Sequence, residues 1–255
     1  MDDITCSVAD GIARLTVARP DKLNAMRDQT ADELKAAITG LESDPEVRAI
    51  ILTGEGRGFG AGYDLPAMDL SRTPELAHVL DTHFNPLIRK MRQSPLPIVA
   101  AVNGPCAGAS IGVAFAADIV LAAKSAFFYE PFVGLGLIPD AGNTIFLTRV
   151  AGRMKASGAM LLGDRISAEE AERWGLIWRV TEDADLADEA SAVAARLAAS
   201  SRNAIAATKA LIRDAADPDL SRMLDAESHH QGVLGRGEEM RQAVEAFKAK
   251  ARTQA

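Results

Sequence analysis

The chain has 255 residues, of which 48% are hydrophobic and 25% are charged, so it can bury a full core without a metal or a disulfide. Its 35 acidic residues outnumber 28 Lys and Arg, and the net charge of -7 argues against nucleic acid or a membrane surface as a partner. The longest apolar stretch, residues 111–123, is too short for a membrane span. Residues 1–4 are acidic, unlike a secretory signal, and only Cys6 and Cys106 are present, so we expect a cytoplasmic protein.

Predicted strands and helices alternate through the first half of the chain. Residues 4–8 and 12–17 read as strands around an Asp10-Gly11 turn, which predicts a hairpin. The elements that follow are a helix over 28–41, a strand over 47–52, a Gly-rich loop over 54–62, a helix over 74–91, a strand over 97–102, a small-residue helix over 107–116 and a strand over 119–122. This alternation predicts an α/β sheet built from crossover connections.

The second half of the chain is predominantly helical in pattern. Helices are predicted over residues 143–150, 153–161, 168–174, 186–199, 203–215, 220–232 and 238–251, with one strand-like break over 177–180. No Pro/Ser-rich linker separates the two halves. We therefore expect one domain with a helical C-terminal module, which packs on its own core or on a sister subunit.

Several common site motifs are missing from the sequence. The four histidines show no recognised ligand spacing, so no metal site is expected. The Gly-rich loop over residues 54–62 does not match G-x-G-x-x-G in any register, and this disfavours a dinucleotide site.

One hydrolase motif is matched on paper, because residues 108–112 read Gly-Ala-Ser-Ile-Gly. Ser110 could be the nucleophile of a G-x-S-x-G elbow, with His229 or His230 as its base. Alternatively, these small residues let a helix pack closely. We favour packing, because five residues separate Ser110's motif from the preceding strand and no HGGG-type donor loop precedes it.

Two loops, over residues 58–65 and 102–109, each follow a predicted strand. Both lie at the C-terminal ends of their strands, where open α/β sheets place ligands. Two backbone N–H groups that converge from such loops would form an oxyanion hole. The alternative is that both loops are ordinary tight connections.

Five ordered segments, residues 19–26, 59–65, 102–119, 136–142 and 168–176, carry a resemblance to a known family. In them the sequence resembles the enoyl-CoA hydratase/isomerase (crotonase) superfamily. The resemblance implies a crotonase-like superhelix of repeated ββα units over residues 1–195 and a helical trimerisation module over 196–255. It also implies an acyl-CoA substrate, no cofactor beyond the coenzyme A of that substrate, and assembly as a homotrimer or a dimer of trimers.

The resemblance assigns roles to individual positions. Tyr63 and Ala109 would supply the backbone N–H groups of the oxyanion hole, although family members usually have Gly where Ala109 stands. The residues that the resemblance places at coenzyme A are Lys22, Leu23, Asn24, Ala61 and Gly62.

The acidic residues depart most from the family's hydratases. Gly112 and Phe132 stand where those enzymes have two glutamates, and neither residue can move a proton. Asp140 matches an acidic position of the superfamily's isomerases, but it could equally be an N-cap for the following helix. Glu130 is a second catalytic candidate, on the same face as Phe132 if the segment is extended, and its alternative is to face solvent.

These assignments predict an enoyl-CoA isomerase that moves a double bond by a 1,3-proton shift, with Asp140 as the base and an enolate held by the oxyanion hole. Two alternatives stay open. One is an enoyl-CoA hydratase with a rearranged acid/base site. The other is a catalytically inactive acyl-CoA-binding paralogue.

Overall fold

The hairpin at the start of the chain forms as predicted. The computed structural model describes residues 1–67, 71, 75–215 and 219–253. In it β1 (Ile4–Ala9) pairs antiparallel with β2 (Ile12–Val17). Asp10 and Gly11 form the two-residue turn with φ values of 50° and 74°, the left-handed conformations that this kind of hairpin requires.

The main sheet has six strands in the order β1-β2-β3-β4-β6-β9. Its remaining members are β3 (Ala49–Gly54), β4 (Ile98–Val102), β6 (Ile119–Ala123) and β9 (Arg179–Thr181). Every pairing after β1–β2 is parallel. The carboxyl ends of these parallel strands therefore share one edge, and the loops that leave β2, β3 and β4 meet there.

Helices cover the sheet and continue beyond it. They are α1 (Asp28–Ser43), α2 (Leu76–Val79), α3 (Asn85–Gln93), α4 (Ala109–Ala116), α5 (Asn143–Leu162), α6 (Ala168–Arg173), α7 (Leu186–Ala198), α8 (Arg202–Asp214), α9 (Leu220–Leu234) and α10 (Glu238–Thr253). A π-helical turn over Leu80–Phe84 joins α2 to α3. The two helices predicted over residues 143–161 form one run that leaves helical geometry at Gly152.

A second sheet was not predicted from the sequence. It consists of β5 (Cys106–Ala107), β7 (Phe127–Tyr129) and β8 (Ile166–Ser167), in that order. Strands of two or three residues are too short to show a readable alternation of polar and apolar residues. This sheet matters for the site because Glu130 directly follows β7 and α4 begins just after β5.

The last helices pack differently from the rest. Helix α7 packs on β3 and β4, and the predicted domain boundary between residues 195 and 196 lies inside it. Helices α8 and α9 pack on each other without a fully buried residue. Lys209 on α8 ties this region to the sheet through an ion pair with Asp118, Nζ to Oδ2, of 2.6 Å. No helix in the described part of the chain is long and apolar enough to span a membrane.

Candidate active site

Three loops that follow neighbouring parallel strands meet at the carboxyl edge of the main sheet. They leave β2, β3 and β4, and they cover residues 18–27, 55–64 and 103–108. The first two are joined by a backbone hydrogen bond of 3.0 Å from the N–H of Ala61 to the carbonyl oxygen of Leu23. The segment predicted to bind coenzyme A therefore lies beside the first oxyanion segment.

The predicted coenzyme A loop contains both a fully buried side chain and an exposed cationic side chain. Asn24 is fully buried, and its Nδ2 donates to the carbonyl oxygens of Glu55 (2.8 Å) and Gly58 (2.7 Å). Lys22 is exposed and forms no ion pair with the residues that the structure describes. The side chain of Asn24 therefore shapes the loop from within, while Lys22 is the residue that can meet an anion in solvent.

The second and third loops are joined along their length by hydrogen bonds. The N–H of Gly60 donates to the carbonyl oxygen of Pro105 (3.1 Å), and the N–H of Ala107 donates to the carbonyl oxygen of Gly60 (2.9 Å). Further along, the N–H of Gly62 donates to the Oγ of Ser110 (3.1 Å). These bonds bring the two predicted oxyanion segments side by side.

Both predicted oxyanion donors, Tyr63 and Ala109, line the same cavity. Neither backbone N–H has an acceptor among the residues described here. Ala109 is the first residue of α4, so its N–H lacks an intrahelical partner. The preceding Gly108 has φ 52° and ψ -129°, a combination that only glycine adopts without strain, and this turn starts the helix at Ala109.

The cavity has a volume of about 260 Å³ and is mostly apolar. Backbone and small residues from the two oxyanion loops form its floor. The large apolar side chains that line it are Leu65, Leu76, Val79, Leu80, Phe84, Pro131, Phe132, Leu135, Leu137 and Ile138. Asp140 is the one carboxylate among the described lining residues. An apolar group therefore fits here beside a single acid/base group.

The Asp140 carboxylate does not cap a helix. Helix α5 begins at Asn143, its N-cap is Gly142, and no side chain bonds to the first turn. Asp140 Oδ1 is buried without a hydrogen-bond partner among the described residues. Burial raises the pKa of Asp140 to about 6. A half-buried carboxylate that lines a cavity, with one oxygen unpartnered among the described residues and a pKa near neutrality, suits a general base.

Glu130 lies behind the cavity lining. It is 1% exposed, so the alternative that it faces solvent is wrong. Its Oε1 has no partner among the described residues, and the Nδ2 of Asn143 lies 3.5 Å from its Oε2. Burial and the nearby charge of Asp140 raise the pKa of Glu130 to about 8. At neutral pH Glu130 is therefore protonated while Asp140 is ionised.

Asn143 is a site residue that the sequence analysis missed. Its side chain is fully buried, and its Nδ2 also donates to the carbonyl oxygen of Gly108 (2.9 Å). The same amide group thus connects Gly108, which directly precedes the oxyanion donor Ala109, with Glu130. The partners are 35 and 13 residues away in the chain, so no local pattern could have indicated them.

Glu130 and Phe132 do not share a face, contrary to the expectation for an extended segment. Phe132 lines the cavity, whereas Glu130 is absent from its described lining. Phe132 has the helical dihedrals φ -57° and ψ -50° and leads into a 3₁₀ turn over Val133–Leu135. The alternation of an extended strand therefore ends before Phe132.

Packing explains why Gly112 carries no carboxylate. A Cβ atom on Gly112 would lie 2.2 Å from the carbonyl oxygen of Ala141 and 2.8 Å from the Cβ of Ala141. Ala141 is itself buried, with a φ of 50°. The turn that precedes α5 therefore occupies the space that a larger side chain at position 112 would need.

Ser110 is not arranged as a nucleophile. It is 1% exposed, and its Oγ accepts the hydrogen bond from Gly62. No histidine contacts it in the described part of the chain, and His229 and His230 lie on α9, where their rings contact each other. The motif is explained by close packing of α4 against the first oxyanion loop.

We searched the described part of the chain for side chains that could bind a metal ion together. Within it, no group of three or more His, Cys, Asp or Glu side chains is arranged to hold a metal ion.

Comparison with known proteins identifies the family of the chain. The family model described as Enoyl-CoA hydratase/isomerase matches residues 7–254. Over 98% of this chain and 97% of the relative, the sequence is 41% identical to 1,2-epoxyphenylacetyl-CoA isomerase of Escherichia coli (strain K12). It is 40% identical to a protein of Rhodobacter capsulatus described as a probable enoyl-CoA hydratase, over 96% of this chain and 94% of the relative.

The fold is also found in solved structures. A crystal structure of an enoyl-CoA hydratase from Polaromonas sp. JS666 superposes with a TM-score of 0.93 at 32% sequence identity, and 97% of each chain is covered. The expected crotonase-like α/β fold with C-terminal helices is thereby confirmed.

Proposed function

The chain belongs to the enoyl-CoA hydratase/isomerase family, and from that membership we propose that it is an isomerase of unsaturated acyl-CoA thioesters. It moves a carbon–carbon double bond by a 1,3-proton shift. One observation carries the proposal: the described cavity lining has a single carboxylate, Asp140, beside the unpartnered N–H groups of Tyr63 and Ala109. The family relationship alone supports only the coarser statement that the chain is an acyl-CoA hydratase/isomerase enzyme.

In the first step, the Asp140 carboxylate removes a proton from the carbon next to the thioester carbonyl. The electron pair of that C–H bond moves into the carbonyl, and negative charge develops on its oxygen. The backbone N–H groups of Tyr63 and Ala109 donate to this oxygen. Donors that are fixed before the reaction stabilise such charge strongly, and losing one typically costs about 2.7–4 kcal/mol of transition-state stabilisation.

In the second step, the carbonyl re-forms and the double bond shifts into conjugation with it. The protonated Asp140 returns its proton to the carbon two positions away. Atoms and electrons balance without water, a metal or an added cofactor. One acid/base group is therefore sufficient for isomerisation, whereas addition of water normally needs a second one.

Glu130 supports this chemistry from outside the cavity. As a neutral acid at pH 7, it leaves Asp140 as the single negative charge of the pair. If both carboxyl groups were ionised, their repulsion would raise the pKa of each group. We assign Glu130 to holding this charge balance together with Asn143, and we assign proton transfer to Asp140.

The acyl group of the substrate is apolar and compact. About 260 Å³ of mostly apolar cavity suits a ring or a chain of moderate length, since an apolar cavity of roughly 150 Å³ already binds benzene. The relative named as a 1,2-epoxyphenylacetyl-CoA isomerase carries a ring in the substrate of its name, which supports this reading.

The remainder of the substrate is coenzyme A, and the exposed Lys22 is the described residue that we assign to its phosphates. Leu23, Asn24, Ala61 and Gly62 belong to the two neighbouring loops that we assign to the coenzyme A site, where most of their backbone groups hold the loops to each other and to the rest of the site. No cofactor besides this coenzyme A is part of the proposal.

We also propose that the protein is cytoplasmic and that it assembles as a homotrimer or a dimer of trimers. The assembly is supported by the apolar side chains that α9 and α10 leave exposed in a single chain.

The two alternatives are separated from isomerisation by one assay. Purified protein is mixed with a 3-enoyl-CoA or with a 2-enoyl-CoA, and the absorbance of the conjugated thioester is followed. A rise with the 3-enoyl-CoA supports the isomerase. A fall with the 2-enoyl-CoA identifies a hydratase and overturns the proposal. No change with either ester, together with measurable binding of both, identifies a binding protein and overturns it as well.

A further inference from the structure

Four side chains are linked beside the first oxyanion loop, and three of them are outside the described cavity lining. The phenol oxygen of Tyr63 donates a hydrogen bond of 3.0 Å to Oδ1 of Asp28, the first residue of α1. Oδ2 of the same carboxylate lies 3.6 Å from Nε2 of His83. The other ring nitrogen of His83, Nδ1, lies 2.8 Å from Oδ2 of Asp32, one helical turn further along α1.

These contacts connect the oxyanion loop to the wall of the acyl pocket. His83 lies in the π-helical turn, and the next residue, Phe84, is buried and lines the cavity. The rings of Tyr63 and Phe84 also meet edge to face, with their centroids 5.8 Å apart. Tyr63 is thus held at its phenol end by α1 and on its ring by the pocket wall.

We propose that Asp28 and His83 are positioning residues for the oxyanion hole, acting through the phenol group of Tyr63. Through this chain, His83 fixes Asp28, Asp28 fixes the ring of Tyr63, and the ring fixes the peptide whose N–H donates to the negatively charged thioester oxygen. The inference rests on the proposed function, because it concerns the same oxyanion hole.

Two observations support a role beyond ordinary packing. The N–H of Tyr63 is left without an acceptor among the described residues, while the carbonyl oxygen of the same peptide, that of Gly62, accepts from the N–H of Met26 (2.7 Å); the phenol therefore adds a second point at which this donor is held. In addition, burial and the hydrogen bond to Asp28 raise the pKa of Tyr63 to about 12, so the phenol remains a donor throughout the physiological range. A small displacement of a preorganised donor is costly for the rate.

The test uses an infrared measurement on a bound, unreactive thioester. A saturated acyl-CoA that carries a ¹³C label at its carbonyl is bound to the full-length protein, and its carbonyl stretching frequency is compared with that in water. Tyr63→Phe removes the phenol oxygen and keeps the backbone N–H. Asp28→Ala and His83→Gln break the chain at its next two links, and Asp28→Asn keeps an acceptor for Tyr63.

We expect the wild-type protein to lower the carbonyl frequency, and the Tyr63→Phe and Asp28→Ala variants to lose about half of that shift. Their kcat falls about fivefold while KM changes less than about twofold, because the lost contact acts mainly in the transition state. Asp28→Asn retains most of the shift. Adding Asp28→Ala to Tyr63→Phe has no further effect, since both act through one chain of contacts.

Two control variants make similar changes to a tyrosine and an aspartate outside this chain of contacts. Tyr129→Phe changes the second of the two tyrosines, on β7, and Asp81→Asn removes a carboxylate from the π-helical turn that holds His83. Both should match the wild-type protein. If the wild-type protein does not lower the frequency, the proposed oxyanion hole is wrong. If it does, and all three chain-breaking variants show the wild-type shift, the positioning role of Asp28 and His83 is overturned.

Discussion

The N–H of Gly62 donates a hydrogen bond of 3.1 Å to the Oγ of Ser110, and this bond joins the chain neighbours of the two oxyanion donors. Tyr63 follows Gly62 directly, and Ala109 precedes Ser110 directly. Of the hydrogen bonds that join the two oxyanion loops, this buried one is therefore placed to fix the spacing between the two donor N–H groups. Ser110 therefore has a structural role, although the residues around it match the motif of a hydrolase nucleophile.

Replacing Ser110 by Ala should weaken both the fold and the reaction. The buried N–H of Gly62 would lose its acceptor, which typically costs about 1–3 kcal/mol of unfolding free energy. We expect kcat to fall about tenfold with little change in KM, because the donors lose their fixed spacing. Urea unfolding and steady-state kinetics measure the two effects, with the exposed Ser228→Ala on α9 as control. An unchanged kcat would refute this role.

Gly112→Ala should destabilise the protein, because its Cβ would lie 2.2 Å from a backbone oxygen. Overpacking of this kind costs about 1–3 kcal/mol, and here the obstacle is backbone that cannot rotate away. Gly158→Ala is the matched control, since Gly158 also lies in a helix and has nothing within 4 Å of its added Cβ. That variant should be slightly more stable than the wild-type protein. Equal stability of both variants, in thermal unfolding, would contradict the packing argument.

The rate should depend on pH through the ionisation of Asp140. The base must be ionised, and burial raises its pKa to about 6. We therefore expect kcat/KM to be constant above this pH and to fall about tenfold per unit below it. A profile measured with a 3-enoyl-CoA tests this directly. A flat profile down to about pH 4.5, with the protein still folded, would exclude Asp140 as the base.

Stability should also depend on pH, with Glu130 as a main cause. Burial and Asp140 raise the folded-state pKa of Glu130 from 4.5 to about 8, so the folded protein holds a proton that the unfolded chain has lost. The free energy of unfolding therefore falls as pH rises from about 4.5 to about 8, by roughly 5 kcal/mol in all.

Glu130→Gln should remove most of this decline, because the amide cannot ionise. Urea unfolding between about pH 6 and about pH 8.5 separates Glu130 from Asp140, whose window ends near its own pKa of about 6. Near neutral pH, Glu130→Gln should keep most of the isomerase activity, since the native acid is already neutral there. A loss comparable to that of an Asp140 variant would show that Glu130 itself transfers the proton.

The elements that local chemistry specifies could be predicted from the sequence. The Asp10-Gly11 turn forms because both residues adopt positive φ readily, and the break at Gly152 separates two helical patterns that the sequence also separates. The long parallel strands are buried on both faces, so they appear as continuous apolar runs. The loops at their carboxyl ends follow from that topology.

Asp140 and Glu130 are identified as candidates from the sequence, but their surroundings and the part played by Asn143 could not be predicted, because tertiary contacts decide them. Asp140 looks like an N-cap in the sequence, but Ala141 and Gly142 turn the chain with φ values of 50° and 87°, so α5 starts later and the carboxylate stays free. Asn143 owes its role to partners far away in the chain. Glu130 is buried because β7 ends and a 3₁₀ turn begins, which no alternation pattern reveals.

The most direct test of the central claim is the rate at which Asp140→Asn converts a 3-enoyl-CoA into the conjugated 2-enoyl-CoA under single-turnover conditions. The account predicts a rate at least about 100-fold below that of the wild-type protein, with binding of the ester unchanged, because the amide cannot accept a proton. Asp164→Asn, an exposed carboxylate in the loop after α5, is the control and should retain the wild-type rate. Full isomerase turnover by Asp140→Asn would contradict the account.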